Sequence, residues 1–269
     1  MKNQNLGKLT IEIKNKANQI LSQISGLEKA SLIYAQDYNA GDRICFAISE
    51  VNKYLAVKVD DLLDEALVYA PEGKLDYVIP IGDETLAYPL EAFKGRSHNI
   101  SIRLATSDEV FTYRNLAKNA ADQRGLVTCY PHATANIETR NEAVFAARNT
   151  IDGITENQGH GGFPYQSWGV GERLDAELIV DFGRAVEVDK VVLYLRADFP
   201  HDNYWNLASL SFSDGSDVIA HLVKTAGAQE IKFEKKVVSW VKLKDLIKAD
   251  DSSPFAALRQ IEVYGRDRR

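Results

Sequence analysis

Three segments concentrate the side chains that could do chemistry. They are Tyr130-Pro131-His132, the run from His160 to Trp168 (HGGFPYQSW), and the run from Arg196 to Trp205 (RADFPHDNYW). Each sets a proline beside an aromatic ring and a histidine, a composition that fits ordered loops better than strands. Loops held on a rigid β scaffold are where binding residues collect. An aromatic ring offers a flat apolar platform. Arg, Asp, His and Asn offer the donors and acceptors that hold two adjacent hydroxyls. Together these suit a ring-shaped polyhydroxylated ligand, that is, a carbohydrate. Arg196, Asp198, His201 and Trp205 are the leading candidate contacts, with His160, Tyr165 and Trp168 behind them. Each has a bland alternative. Trp168 could be core, Arg196 could pair with Asp198 or Asp202 to hold its loop, and Trp240 sits in an apolar strand sequence. Glu138, Arg140 and Glu142 read as a solvated charge run.

Catalytic signatures are thin. Asp198 with His201-Asp202 could form an acid–base or metal set, but a paired-carboxylate glycosidase needs a spacing across the sugar that one sequence does not fix. There is no GxSxG, HExxH, GxGxxG or P-loop motif. A non-catalytic carbohydrate-binding protein is therefore the expected function. The alternatives are a carbohydrate-active hydrolase with its site between two sandwiches, and a protein-interaction module. The formal net charge of −6 argues against a nucleic-acid partner, which calls for a basic face.

The elements that must position these residues are read from periodicity. Leu6, Leu9, Ile13, Ala17, Ile20 and Ile24 recur at steps of three and four, which predicts a helix over residues 6–24 stopped by Ser25-Gly26. That helix would dock on the rest of the protein or pair two copies as a homo-oligomer. Past Gly26 the period becomes two. Short β-branched and aromatic runs (31–35, 43–48, 54–59, 66–70, 74–79 and 99–104) alternate with turns such as Pro71-Glu72-Gly73. A second series includes 176–181, 190–195, 209–212, 218–223, 230–233, 239–243 and 260–264. No helical pattern alternates with the strands, so the expected class is all-β. The expected architecture is an N-terminal helix (1–26), an N-terminal β-sandwich (27–110) and a second sandwich (111–269). The three tryptophans, and His132, His160, His201 and His221, all fall in the last of these.

From Asn115 to Gly265 the order of signals resembles the galactose-binding-like (discoidin, or coagulation factor type C) jelly roll, the group that holds many carbohydrate-binding modules. Arg114-Asn115-Leu116-Ala117 is similar to that family's first strand. Thr150-Ile151-Asp152-Gly153 is similar to its A-x-D-G turn, and Trp168 stands where a tryptophan usually follows. Ala176 to Gly183 resembles the strand and turn after it, Phe212 to Ser216 a hairpin, and Arg259 to Gly265 (RQIEVYG) the closing strand. The resemblance implies a structural Ca2+ held by Asp152, Thr155 and Asn157 from the turn and Glu262 from the closing strand. The turn is rich in the oxygen ligands calcium prefers. Local capping of the turn by Asp152 and Thr155 without an ion is the competing reading.

Residues 1–9 contain no apolar signal region, and no run approaches the roughly 18 apolar residues of a bilayer span. A cytoplasmic setting is expected, with secretion as the alternative. Cys45 and Cys129 stand far apart, which excludes a disulfide scaffold and a CxxC metal site.

Overall fold

The computed structural model describes residues 7–157, 163–197 and 202–268. Along β1 (Leu9–Lys14) the buried residues are Leu9, Ile11 and Ile13, a period of two. The helix expected over residues 6–24 is therefore wrong. Its stripe of threes and fours is cut by a turn in which Asn18 takes a φ of 63°. There the Asn15 side-chain oxygen accepts the N–H groups of Ala17 and Gln19, each at 3.0 Å. β2 (Ile20–Gly26) then returns antiparallel to β1, with Ile24 opposite Ile11. A homo-oligomer built through an N-terminal helix loses its element.

β3 (Lys29–Tyr34), β4 (Arg43–Ile48), β5 (Lys53–Lys58), β6 (Ala66–Ala70), β7 (Lys74–Val78) and β8 (His98–Leu104) follow as the alternation predicts. They complete two four-stranded antiparallel sheets, ordered β2-β1-β4-β7 and β3-β8-β5-β6. The sheets share one core, with Ile11, Phe46 and Tyr77 from the first and Leu55, Val68 and Ile100 from the second. A short helix, α1 (Ser107–Phe111), leads out of this sandwich. Thr106 and Glu109 form a capping box at its start.

The rest of the chain builds a nine-stranded sheet. Its members are β9 (Arg114–Asn115), β10 (His132–Ala135), β11 (Trp168–Gly169), β12 (Leu178–Arg196), β13 (Asp202–Asn203), β14 (Trp205–Phe212), β15 (Asp217–His221), β16 (Gln229–Lys248) and β17 (Phe255–Asp267). The main path runs β11-β17-β12-β16-β14-β15. Pairs of strands expected separately are the two halves of β12 and of β16. The long strands bend at register breaks, one of them between Asp181 and Val186, and wrap a second core around Trp168, Phe182, Leu210 and Val263. Gly183 sits in that break with a φ of 64°, and a Cβ there would lie 2.3 Å from the Tyr130 ring.

The two sandwiches touch through specific groups. Tyr69 and Tyr130 exchange backbone hydrogen bonds at 2.8 and 2.9 Å. The Gln123 side-chain amide does the same with the backbone of Val78, at 2.9 and 2.7 Å. Ala121, Leu126, Cys129 and Ala143 belong to the first core although they follow α1. Among the described residues no helix is long and apolar enough to cross a membrane.

Candidate functional site

The start of β17 is the floor of an open cleft of about 620 Å³. Ala257 has Gly169 of β11 on one side and Arg196 of β12 on the other. The parallel pairing of β13 with β17 brings Asp202 opposite Phe255. Small residues, Gly169, Ala256 and Ala257, keep the floor low. The walls carry Thr139, Arg140, Phe145, Tyr165, Glu172 and Phe255. Thr139 ties two of these walls together, because its hydroxyl accepts the Gly171 N–H at 2.9 Å. Gly169 must be glycine for this contact, since a Cβ would fall 2.5 Å from that hydroxyl. Arg140, Asn141, Gly171 and Glu172 all adopt left-handed φ values of 51–62°. Backbone strain of that kind gathers at binding and active sites.

Arg196 anchors the cleft. It is buried, at 4% exposure, with its guanidinium 4.4 Å over the Tyr165 ring. Its Nη1 donates to the Tyr165 carbonyl at 3.1 Å, and its Nη2 lies 3.9 Å from Asp202 Oδ2. Nε and Nη2 are buried and have no hydrogen-bond partner among the described residues. Phe145 meets Tyr165 edge to face at 5.9 Å, and Arg140 lies 5.2 Å over Phe145. Arg140 also grips Glu142, and that hydrogen bond holds the Glu142 carboxyl below its ordinary range.

The sequence-expected contacts divide. Arg196 and Tyr165 meet at the cleft. Trp168 and Trp205 do not face it: at 0% and 2% exposure they pack 6.2 Å apart in the core below. Trp205 opens β14 with its ring turned inward, so it cannot serve as a ligand platform. The indole of Trp168 donates to the Ile137 carbonyl at 2.8 Å and so supports the wall from behind. His160, Asp198 and His201 lie outside the described residues. Sequence reasoning missed Phe145, Glu172 and Phe255, and took Arg140 for surface charge. His132 is buried away from the cleft, bonded through Nδ1 to Asp122 at 2.7 Å.

At the turn expected to hold calcium, the carboxylates of Asp152 and Glu262 have hydrogen-bond partners, and Asn157 Oδ1 is buried with none among the described residues. Both carboxylate oxygens of Asp152 already accept hydrogen bonds. Ile154 N–H and Gln260 Nε2 reach Oδ1 at 2.9 and 3.1 Å, and Gln166 Nε2 reaches Oδ2 at 3.0 Å. Glu262 is engaged by the hydroxyls of Tyr194 and Tyr264, and burial raises its pKa. Thr155 and Asn157 are half-buried. Among the described residues no three His, Cys, Asp or Glu side chains gather into a set that could hold a metal ion.

Between the sandwiches lie two small grooves, of about 190 and 80 Å³, which share Tyr88 and Arg148. Each nitrogen of the Arg148 guanidinium has a partner there. It donates to the carbonyls of Asp122 and Ala120 at 3.1 and 3.3 Å, and to Asn149 Oδ1 at 3.2 Å. It also stacks 4.7 Å over Tyr88.

Several solved structures are similar in part of the chain. One is chitosan-binding module 1 from a chitosanase/glucanase of Paenibacillus sp. IK-5, with 21% identity over 56% of this chain and 98% of that one, at a TM-score of 0.38. A second is the family 32 CBM from C. perfringens NanJ in complex with galactose, with 16% identity over 49% and 91%, at 0.38. A third is a fucose-binding module of Streptococcus pneumoniae, with 16% identity over 57% and 98%, at 0.39. No curated protein matches the chain. A family described as a domain of unknown function, DUF7402, matches residues 129–264. That match spans the strands that build the cleft and half of the sequence, and the protein belongs to the DUF7402 family.

Proposed function

We propose that the protein binds a carbohydrate, without acting on it, in the cleft over the start of β17. One observation carries the reading: beside an aromatic wall at the base of that cleft, the buried Arg196 guanidinium has two nitrogens, Nε and Nη2, with no hydrogen-bond partner among the described residues. A buried donor left without an acceptor costs about 1–3 kcal/mol, more when charged. Nε and Nη2 point along one edge of the fork, the geometry that takes two neighbouring oxygens. Adjacent sugar hydroxyls supply such a pair once the Tyr165 wall moves aside. The carboxylate of Asp202 accepts a hydroxyl proton, and the exposed Phe255 ring covers a C–H face. Solved structures similar to the chain include modules bound to galactose and to other sugars, which agrees with this ligand class.

The non-catalytic part of the proposal rests on the arrangement of charge. Arg140 is taken up by Glu142 and Arg196 faces Asp202, so the cleft is built from neutralised pairs. The junction between the sandwiches, the other candidate, is occupied by an arginine each of whose nitrogens already donates to the protein. A glycan array followed by calorimetry tests the reading. Millimolar to micromolar binding of at least one sugar is expected, because a shallow polar site gains little per ligand atom. No binding at millimolar sugar would sink it.

A further inference from the structure

The first sandwich ends in four edge strands, and the second sandwich covers two of them. The outer edge of β6 is bonded to Tyr130, and that of β7 is clamped at Val78 by the Gln123 amide. The other two, β2 and β3, are joined to each other by Leu27-Glu28. β3 begins with Lys29, and β15, an edge of the nine-stranded sheet, carries Asp217 and His221. Charged residues and covering groups of this kind guard sheet edges against pairing with another chain. β2 has neither guard. Ile20 to Gly26 holds no charged residue and no proline, and among the described residues no strand pairs with its outer edge. Its bulge at Leu21 disturbs only the start, because residues 22–26 run in unbroken register with 9–13. Around this edge Ile20, Leu21, Ile24, Leu27 and Ile33 are 38–62% exposed.

We propose that two copies of this chain pair through β2, antiparallel about a two-fold axis at Ile24, so that two four-stranded sheets join into one of eight strands. Strand addition gives an open edge the main-chain hydrogen bonds it lacks. The choice of occupant follows from charge. A neutral edge offers nothing to a charged partner, and it meets itself without repulsion. A two-fold contact also presents the same patch from both sides, so the chain carries its own complement. In this register Gln23 faces Ser25 of the second copy, Ser22 faces Gly26, and Ile24 meets its own image. No like charges stand opposite each other across the seam. Pairing also takes apolar Ile20, Leu21 and Ile24 out of water. The surface shares no residue with the cleft over β17.

The test is sedimentation velocity of the full chain from about 1 μM to about 1 mM. The wild type is expected to pass from monomer to dimer with a Kd in the micromolar range, because a one-strand seam is a small interface. Gln23→Lys/Ser25→Lys sets lysine against lysine twice across the seam and should raise Kd about tenfold. Gln23→Lys/Ser25→Glu adds as many charges but sets lysine against glutamate, and should keep the wild-type Kd. Both positions lie opposite Glu12 and Thr10, on the face away from the buried Ile11 and Ile13. The Tm of each dilute variant should therefore stay within about 2 °C of the wild type. Amide exchange of the wild type gives a second reading that needs no variant, since protection of residues 22–26 should rise with protein concentration. A chain that stays monomeric up to about 1 mM overturns the proposal, and leaves the edge to residues 1–6 or to a different protein. A dimer that survives the lysine pair, that is lost equally in the lysine–glutamate variant, or that brings no protection to β2 also overturns it.

Discussion

Asp267, fully buried near the end of β17, holds Arg184 through both carboxylate oxygens, while the same guanidinium lies 5.0 and 5.2 Å over the rings of Tyr54 and Tyr69 in the other sandwich. Arg114 Nη2 donates to Asp267 at 2.7 Å and the Tyr54 hydroxyl at 2.8 Å, so one carboxylate gathers four donors from both sides of the junction. Burial, only partly offset by Arg184, pushes the Tyr54 phenol up to about 12, which keeps it a proton donor at any working pH.

Removing that carboxylate should be severe. Asp267→Ala leaves two arginines, little exposed, with no counter-charge, and breaking a buried pair from one side costs about 3–5 kcal/mol. Tyr54→Phe removes one neutral donor and should cost only about 1 kcal/mol. Urea unfolding of both variants checks the order. An Asp267→Ala protein within 1 kcal/mol of wild type would mean that the junction does not depend on this cluster.

The aromatic residues divide into those that hold the cleft and those that face it. Trp168→Ala and Trp205→Ala should each lose about 3–5 kcal/mol, as for other large buried rings. Phe255 is 56% exposed, and Phe255→Ala should leave stability within about 0.5 kcal/mol. It should weaken sugar binding by several-fold to tenfold, since an aromatic contact contributes about 0.5–1.5 kcal/mol. Calorimetry on the Phe255→Ala protein, with its Tm measured alongside, separates the two effects. Unchanged affinity would move the ligand away from this wall.

Much of the fold was legible because alternation survives in short strands. The runs at 43–48 and 66–70 coincide with β4 and β6 to the residue. The N-terminal segment misled because Ile13, Ala17, Ile20 and Ile24 also satisfy a helical step, and two strands joined by a five-residue turn mimic one face. The usable signal was Asn18, a residue that tolerates the left-handed turn. Trp240 was read as core but is half-buried, on a strand whose inward positions are Val238 and Val241. At the cleft, Arg196 and Tyr165 were legible because polar and aromatic residues crowd in their segments. Trp205 shares that crowding and yet points inward, since sequence composition does not tell which way a strand's first residue faces. Phe145, Glu172 and Phe255 come from three distant segments, and no spacing in the chain announces that the β17 floor assembles them.

His132 and Glu109 give stability opposite pH dependences. Burial pulls the His132 pKa down, but its hydrogen bond to Asp122 and that residue's charge push harder, and the net shift is upward from 6.5. A raised folded pKa means that the folded state binds the proton more tightly than the unfolded one. The contribution is therefore complete below about pH 6.5 and is lost as pH climbs through the raised value. Glu109 runs the other way. Its hydrogen bonds with Arg103 and the Thr106 backbone lower its carboxyl from 4.5 to about 2. Its contribution is complete above about 4.5 and is lost as pH falls toward 2. Denaturant unfolding across pH should show both limbs. His132→Gln should flatten the limb that begins above pH 6.5 and leave the acid limb intact, and Glu109→Gln should do the reverse. If wild-type stability instead rose as pH passed upward from 6.5, and that rise vanished in His132→Gln, the buried pair would hold a neutral imidazole and the assignment of its charge would be wrong.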